Sequence, residues 1–228
     1  MKEFIKKYYL RFIVMLIGTI IIGISAAMYV VSTIGSNSIN TFCFGITELL
    51  KLIFKKDIST SIGITVGNAI LAIILLIFGR KYLNVGTIVA VVLIGPVCGL
   101  FVDYGILKAN DNLFMCYLYS IVATILNSLG ASMIIKANVG TSPYDGVSLF
   151  LNDIIPIKFW IIRIIYDAVL FGLGYLMGSV IGWGCVIAVA LTGPLISVFN
   201  KLIDIIMKNK ADKNGEEKNE SIENKNGQ

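Results

Sequence analysis

The chain has 228 residues, 57% of them hydrophobic and 14% charged, with a formal net charge of +5 and a mean hydropathy of +0.85. Soluble domains carry roughly 25% charged residues, and a water-soluble fold of this size has no means of hiding so much apolar surface. Histidine is absent, which excludes imidazole triads, His-ligated zinc or haem, and histidine proton relays.

Residues 12–47, 58–79, 82–102, 112–135 and 168–200 carry no Asp, Glu, Lys or Arg. Each run matches or exceeds the roughly 20 residues that a helix needs to cross about 30 Å of hydrocarbon. Stretches such as 70–78 are apolar on every side, which suits a helix and not the alternating strands of a barrel. The first run follows Lys2, Lys6, Lys7 and Arg11 but is too long for the apolar core of a signal peptide, so a retained anchor is expected. Cys43, Cys98, Cys116 and Cys185 stand singly in apolar stretches and read as buried free thiols.

An internal repeat organises the chain. At an offset of 105, Thr19, Ala26, Met28, Gly35 and Ser36 fall on Thr124, Ala131, Met133, Gly140 and Thr141. At an offset of 98, Gly86, Ala90, Val91, Leu93, Gly95, Pro96 and Phe101 fall on Gly184, Ala188, Val189, Leu191, Gly193, Pro194 and Phe199. The halves are 1–104 and 105–207, and 208–228 is expected to be a disordered charged tail.

Each half reads as a long helix, a glycine break, a short helix and two more long helices: 11–33, 41–54, 62–78 and 85–102, then 113–135, 143–155, 159–177 and 180–202. The segment 143–155 would be only about 20 Å long, short of a crossing. The fold class expected is therefore all-α integral membrane, with two tandem repeats, each of three transmembrane helices plus one short half-helix, inverted with respect to each other. Of the 15 Lys and Arg up to Lys208, this arrangement puts 11 inside, and an eight-span parallel arrangement puts 12 inside. The positive-inside rule therefore does not separate the two, and both place the two ends in the cytoplasm.

The sharpest motif is Gly140-Thr141-Ser142-Pro143-Tyr144-Asp145. Ser142 suits an N-cap, Pro143 the first helical position, and Asp145 the third residue of a capping box. A half-helix starting there would aim free amides and a positive dipole end at a substrate or ion; a plain interfacial cap is the competing reading. The first-half counterpart keeps Gly35, Ser36 and Asn37 but lacks proline and acid. Arg163 and Asp167 lie one turn apart, where an intrahelical pair is expected. Tyr166, with the counterparts Thr65 and Asn68, adds polar groups at that depth. Asn127, Ser128 and Ser132 read as interhelical hydrogen-bonding groups, and the two Gly-Pro steps as kinks.

The doubled glycine break, with Gly35, Gly140, Ser142, Pro143, Asp145, Gly86, Thr87 and Gly184, resembles the YczE/YitT group of bacterial multi-pass membrane proteins over residues 10–204. That resemblance implies a plasma-membrane location more than an activity. The function expected is a small-solute transporter or solute-binding membrane subunit. The alternatives are a non-transporting scaffold for a membrane or secretion-linked pathway, and the substrate-capture subunit of an energy-coupling transporter with a docking face near Ala26, Ala27 or Ala131. Neither enzymatic activity nor a cofactor is expected. The partners expected are the lipid bilayer, a small molecule or ion, and a membrane protein or second copy; nucleic acid is not expected.

Overall fold

The computed structural model describes residues 2–109 and 112–226, and the side chains of residues 8–109, 112–159 and 161–205. It is all-helical: α1 (Lys2–Ser32), α2 (Ser38–Phe54), α3 (Thr60–Phe78), a 3-10 turn (Arg80–Tyr82), α4 (Val85–Val102), α5 (Leu113–Ala137), α6 (Pro143–Ile154), α7 (Phe159–Leu176) and α8 (Trp183–Asn226). Five of the described helices, α1, α3, α4, α5 and α8, are long and apolar enough to cross a membrane, and the chain is a multi-helix membrane protein. α7, expected as a sixth span, has 18 residues and carries Arg163 and Asp167.

Helices α1 and α5 form the centre. Tyr29 Oη lies 2.8 Å from Thr124 Oγ1, and Ser25 Oγ donates to Asn127 Oδ1 at 3.4 Å, so the two run antiparallel. α4 runs parallel to α1, with Met15 beside Gly86 and Gly23 beside Val97. α8 runs parallel to α5 in the same way, Ser132 donating to the Ile196 carbonyl and Lys136 pairing with Asp204 at 2.6 Å. α3 lies antiparallel along α4, and Ser59 donates to Asp103 where the two ends meet.

The breaks in the two halves have matching geometry. α1 ends at Thr33 with φ of 56°, and α5 ends at Asn138 with φ of 51°, both left-handed; these positions are equivalent in the repeat. The next helices are capped at Asn37, whose side chain accepts the Asn40 amide, and at Ser142, whose side chain accepts the Asp145 amide. These two positions are equivalent as well. A cap residue supplies an acceptor for amides that the helix itself leaves unpaired.

Each break is also covered by the opposite half. A Cβ on Gly140 would lie 3.0 Å from Gly86 Cα, and one on Gly184 would lie 2.5 Å from the Gly35 carbonyl oxygen. The Gly184 amide donates to the Ile34 carbonyl at 2.9 Å. Backbone meets backbone at both places because neither partner carries a side chain.

Several expectations are corrected. α2 begins at Ser38 and not near 41, because Asn37 caps it. α1 begins at Lys2 and not at 11. α8 is helical to Asn226, and residues 227–228 of the tail expected over 208–228 lie outside the described residues. Ala26, Ala27 and Ala131 are buried within the chain, so those small-residue faces are not open to a partner. Cys43, Cys98, Cys116 and Cys185 are all buried.

Candidate functional site

Two short helices start side by side in the interior. α6 is about 18 Å long at 1.5 Å per residue, too short to cross. Ser38 and Tyr144, near the two N-termini, are joined by a 3.1 Å hydroxyl contact, and both donate to Asp167 Oδ1 on α7, Ser38 at 2.6 Å. From this junction α2 runs parallel to α7, with Gly45 against Gly174, while α6 runs antiparallel to α7, with Ser148 beside Arg163. The short helices therefore meet head to head and point away from each other.

At the junction is a cavity of about 180 Å³. Its polar wall is built by Asn37, Ser38 and Asn40 of the first break, Ser142 and Asp145 of the second, and Arg163 and Asp167 of α7. Asn68 and Asn127 also reach it. Asn68 spends one amide proton on the Ile64 carbonyl, and Asn127 Oδ1 accepts from Ser25.

The charges form a three-membered cluster. Arg163 donates to Asp145 at 2.8 Å and to Ser148 Oγ at 3.2 Å, lies 3.8 Å from Asp167, and stacks over the Tyr144 ring at 4.2 Å. The intrahelical pair with Asp167 read from the sequence is thus the longer of two contacts. The closer partner is Asp145, on another helix. Asp145 is also not the acceptor of a reciprocal capping box: Ser142 Oγ takes the Asp145 amide at 3.1 Å and donates its own proton to Asp145 Oδ2 at 2.8 Å. The three charged side chains keep 19–24% of their surface exposed, and all three border the cavity.

The other expected residues support the site from behind. Tyr166 is 7% exposed and stacks on Tyr144 with ring centroids 5.3 Å apart; it does not line the cavity. The Thr141 carbonyl accepts from Thr87 Oγ1 at 2.8 Å, which pins the break to the start of α4, and Gly140 rests on Gly86. Ser36 is buried against Thr41. Gly35, at φ of 101°, lines a separate cavity of about 360 Å³ with Thr33, Glu48 and Gly178.

Tyr144, Ser38, Asn40 and Ser148 belong to the site and were not among the candidates. Tyr144 sits inside the best motif, so its signal was present. The others show only once the two breaks are brought together. Outside the five apolar helices, Lys81 and Tyr82 both contact Asp153 at the end of α6, and Lys81 holds that carboxyl below its ordinary value. Among the described residues no three of His, Cys, Asp and Glu gather to hold a metal.

A model of a family of unknown function, DUF6198, matches the chain twice, over residues 1–103 and 97–201. The chain belongs to this family, and the double match is the two-fold repeat seen again. The match does not name the YczE/YitT group specifically. No curated protein and no solved structure matches the chain.

Proposed function

We propose that this member of the DUF6198 family binds a small polar solute in the central cavity and carries it across the plasma membrane. In this reading α1, α3, α4, α5, α7 and α8 span the bilayer, and α2 and α6 enter halfway from opposite sides. The halves are then inverted, and both ends face the cytoplasm. The antiparallel course of α1 and α5, with α4 following α1 and α8 following α5, supports the inversion.

The observation that carries the proposal is the head-to-head meeting of the N-termini of α2 and α6 at a polar cavity. Discontinuous helices near the midplane of inverted repeats are the usual material of transporter sites. Non-helical backbone at membrane depth is tolerated where it lines such a cavity, and buried ionisable groups mark solute pathways.

The charge balance narrows the solute class. Two carboxylates face one guanidinium and two helix N-termini, each of the latter equivalent to about half a positive charge. The wall is close to electroneutral, and the asparagine amides around it offer both donors and acceptors. An uncharged or zwitterionic hydrogen-bonding solute fits this wall better than a free ion.

Purified protein reconstituted in liposomes tests the reading. Flux of a panel of polyols, amides, zwitterionic amino acids and short-chain monoacylglycerols is measured for the wild type and for Asp145→Asn. Flux of at least one solute, lost in an Asp145→Asn protein that still inserts and purifies normally, is the expected result. Wild-type protein that moves none of them, or Asp145→Asn that moves them equally well, overturns it.

A further inference from the structure

The repeat is broken at one interface, and the break lies beside the cavity. In the first half α3 packs along α4: a Cβ on Gly95 would lie 1.9 Å from Thr65 Oγ1 and 2.6 Å from the Ser61 carbonyl oxygen. The repeat counterparts of Thr65 and Gly95 are Arg163 and Gly193. A Cβ on Gly193 would meet nothing within 4 Å. Arg163 has turned away to Asp145, and α7 does not pack along α8 as α3 does along α4.

The space left between them is continuous with the cavity. The α8 side of the cavity is Ala188, Val189, Thr192, Gly193 and Ile196, which is mostly apolar and faces the polar wall of α2, α6 and α7. Val189 lines the cavity and is also 55% exposed, so it stands on the rim of an opening on the flank of the bundle. In a membrane protein that flank meets acyl chains and not water.

We infer that the solute is an amphiphile that enters sideways from the bilayer between α7 and α8, its uncharged hydroxyl- or amide-bearing head on the Asp145–Arg163–Asp167 wall and its alkyl chain in the α7–α8 slit. The inference rests on the proposed binding function and adds the ligand class and the route. A one-sided cavity matches a molecule with one polar and one apolar end. A water-soluble ligand would leave the α8 wall unused, and a helix from a second copy filling the slit would leave the polar wall without a partner.

The experiment uses the full chain in lipid nanodiscs with a monoacylglycerol that carries a diazirine in its acyl chain. Probes with the same tail and an amine or a carboxylate head serve as comparisons. After irradiation, labelled peptides are mapped by mass spectrometry. The expected result is label on α8 around Val189, Gly193 and Ile196, strongest for the glycerol head, and reduced roughly tenfold by Gly193→Leu, which fills the slit, and by Asp145→Asn. Label spread over the exposed faces of α3, α4 and α8 alike, and indifferent to both variants, overturns the lateral route. Stronger labelling by either charged head overturns the head class, and crosslinking between copies through position 193 in place of probe labelling overturns the occupant. Liposome flux of a water-soluble polyol that still depends on Asp145 would, in any of these cases, leave the cavity reading standing; loss of both signals removes both.

Discussion

Removing Arg163 tests which carboxylate the cluster is built around. The guanidinium is 2.8 Å from Asp145 and 3.8 Å from Asp167; the first distance is that of a charge-assisted hydrogen bond and the second is not. Asp167 also keeps Ser38 and Tyr144 as donors when the arginine is gone, whereas Asp145 keeps only the Ser142 hydroxyl among its side-chain donors. Breaking a buried ion pair costs roughly 3–5 kcal/mol because the remaining charge is stranded. With about a fifth of each side chain exposed, screening brings Arg163→Leu down to about 2–3 kcal/mol. In double-mutant cycles with Asp→Asn partners, the Arg163–Asp145 coupling should be about 1–3 kcal/mol, and the Arg163–Asp167 coupling under about 1 kcal/mol. Equilibrium unfolding in mild detergent, followed by tyrosine and tryptophan fluorescence, measures both. An Arg163–Asp167 coupling equal to or larger than the Arg163–Asp145 coupling would refute the geometry and restore the intrahelical pair.

Loss of either cap should weaken the corresponding break: Ser142→Ala and Asn37→Ala are each expected to cost about 1 kcal/mol, read as a lower unfolding midpoint in the same assay. The two repeat glycines should respond in opposite directions. Gly95→Ala drives a methyl into Thr65 and should destabilise by about 1–3 kcal/mol, while Gly193→Ala meets open space and should be neutral or stabilise by up to about 1 kcal/mol through helix propensity; equal effects would show that α7–α8 is closed like α3–α4. For topology, single cysteines in a Cys-free background at positions 56 and 81 should be labelled from outside and only after the membrane is opened, respectively. The reverse pattern would discard the inverted arrangement.

Much of the architecture was legible because it rests on local chemistry. Gly140, Ser142 and Pro143 declare a break and a helix start within a few residues, and the equivalent positions 35 to 37 do so more faintly, with Asn37 in the role of the cap. What was not legible depends on distance in the chain. Spacing along one helix shows Arg163 a partner at Asp167, four residues on, but says nothing of Asp145 on another helix, which is closer in space. Tyr144 and Ser38 become a pair only when the two breaks meet. The open α7–α8 slit is hidden for the opposite reason: the repeat aligns Gly95 with Gly193, and identical residues suggest identical packing. The difference lies in their neighbours, Thr65 in one half and Arg163 in the other.

The reciprocal covering of the breaks has a consequence for biogenesis. The Ile34 carbonyl, freed where α1 stops, waits for the amide of Gly184 at the start of α8. A ribosome adding roughly 5–20 residues per second needs on the order of ten seconds or more to make the intervening chain. Throughout that interval the first half stands in the translocation channel or the lipid with a polar backbone group uncovered, a state that costs free energy in hydrocarbon. Nascent chains cut short before Trp183 should therefore be recognised as unfinished and degraded by membrane quality control, even though they already contain most of the spanning helices.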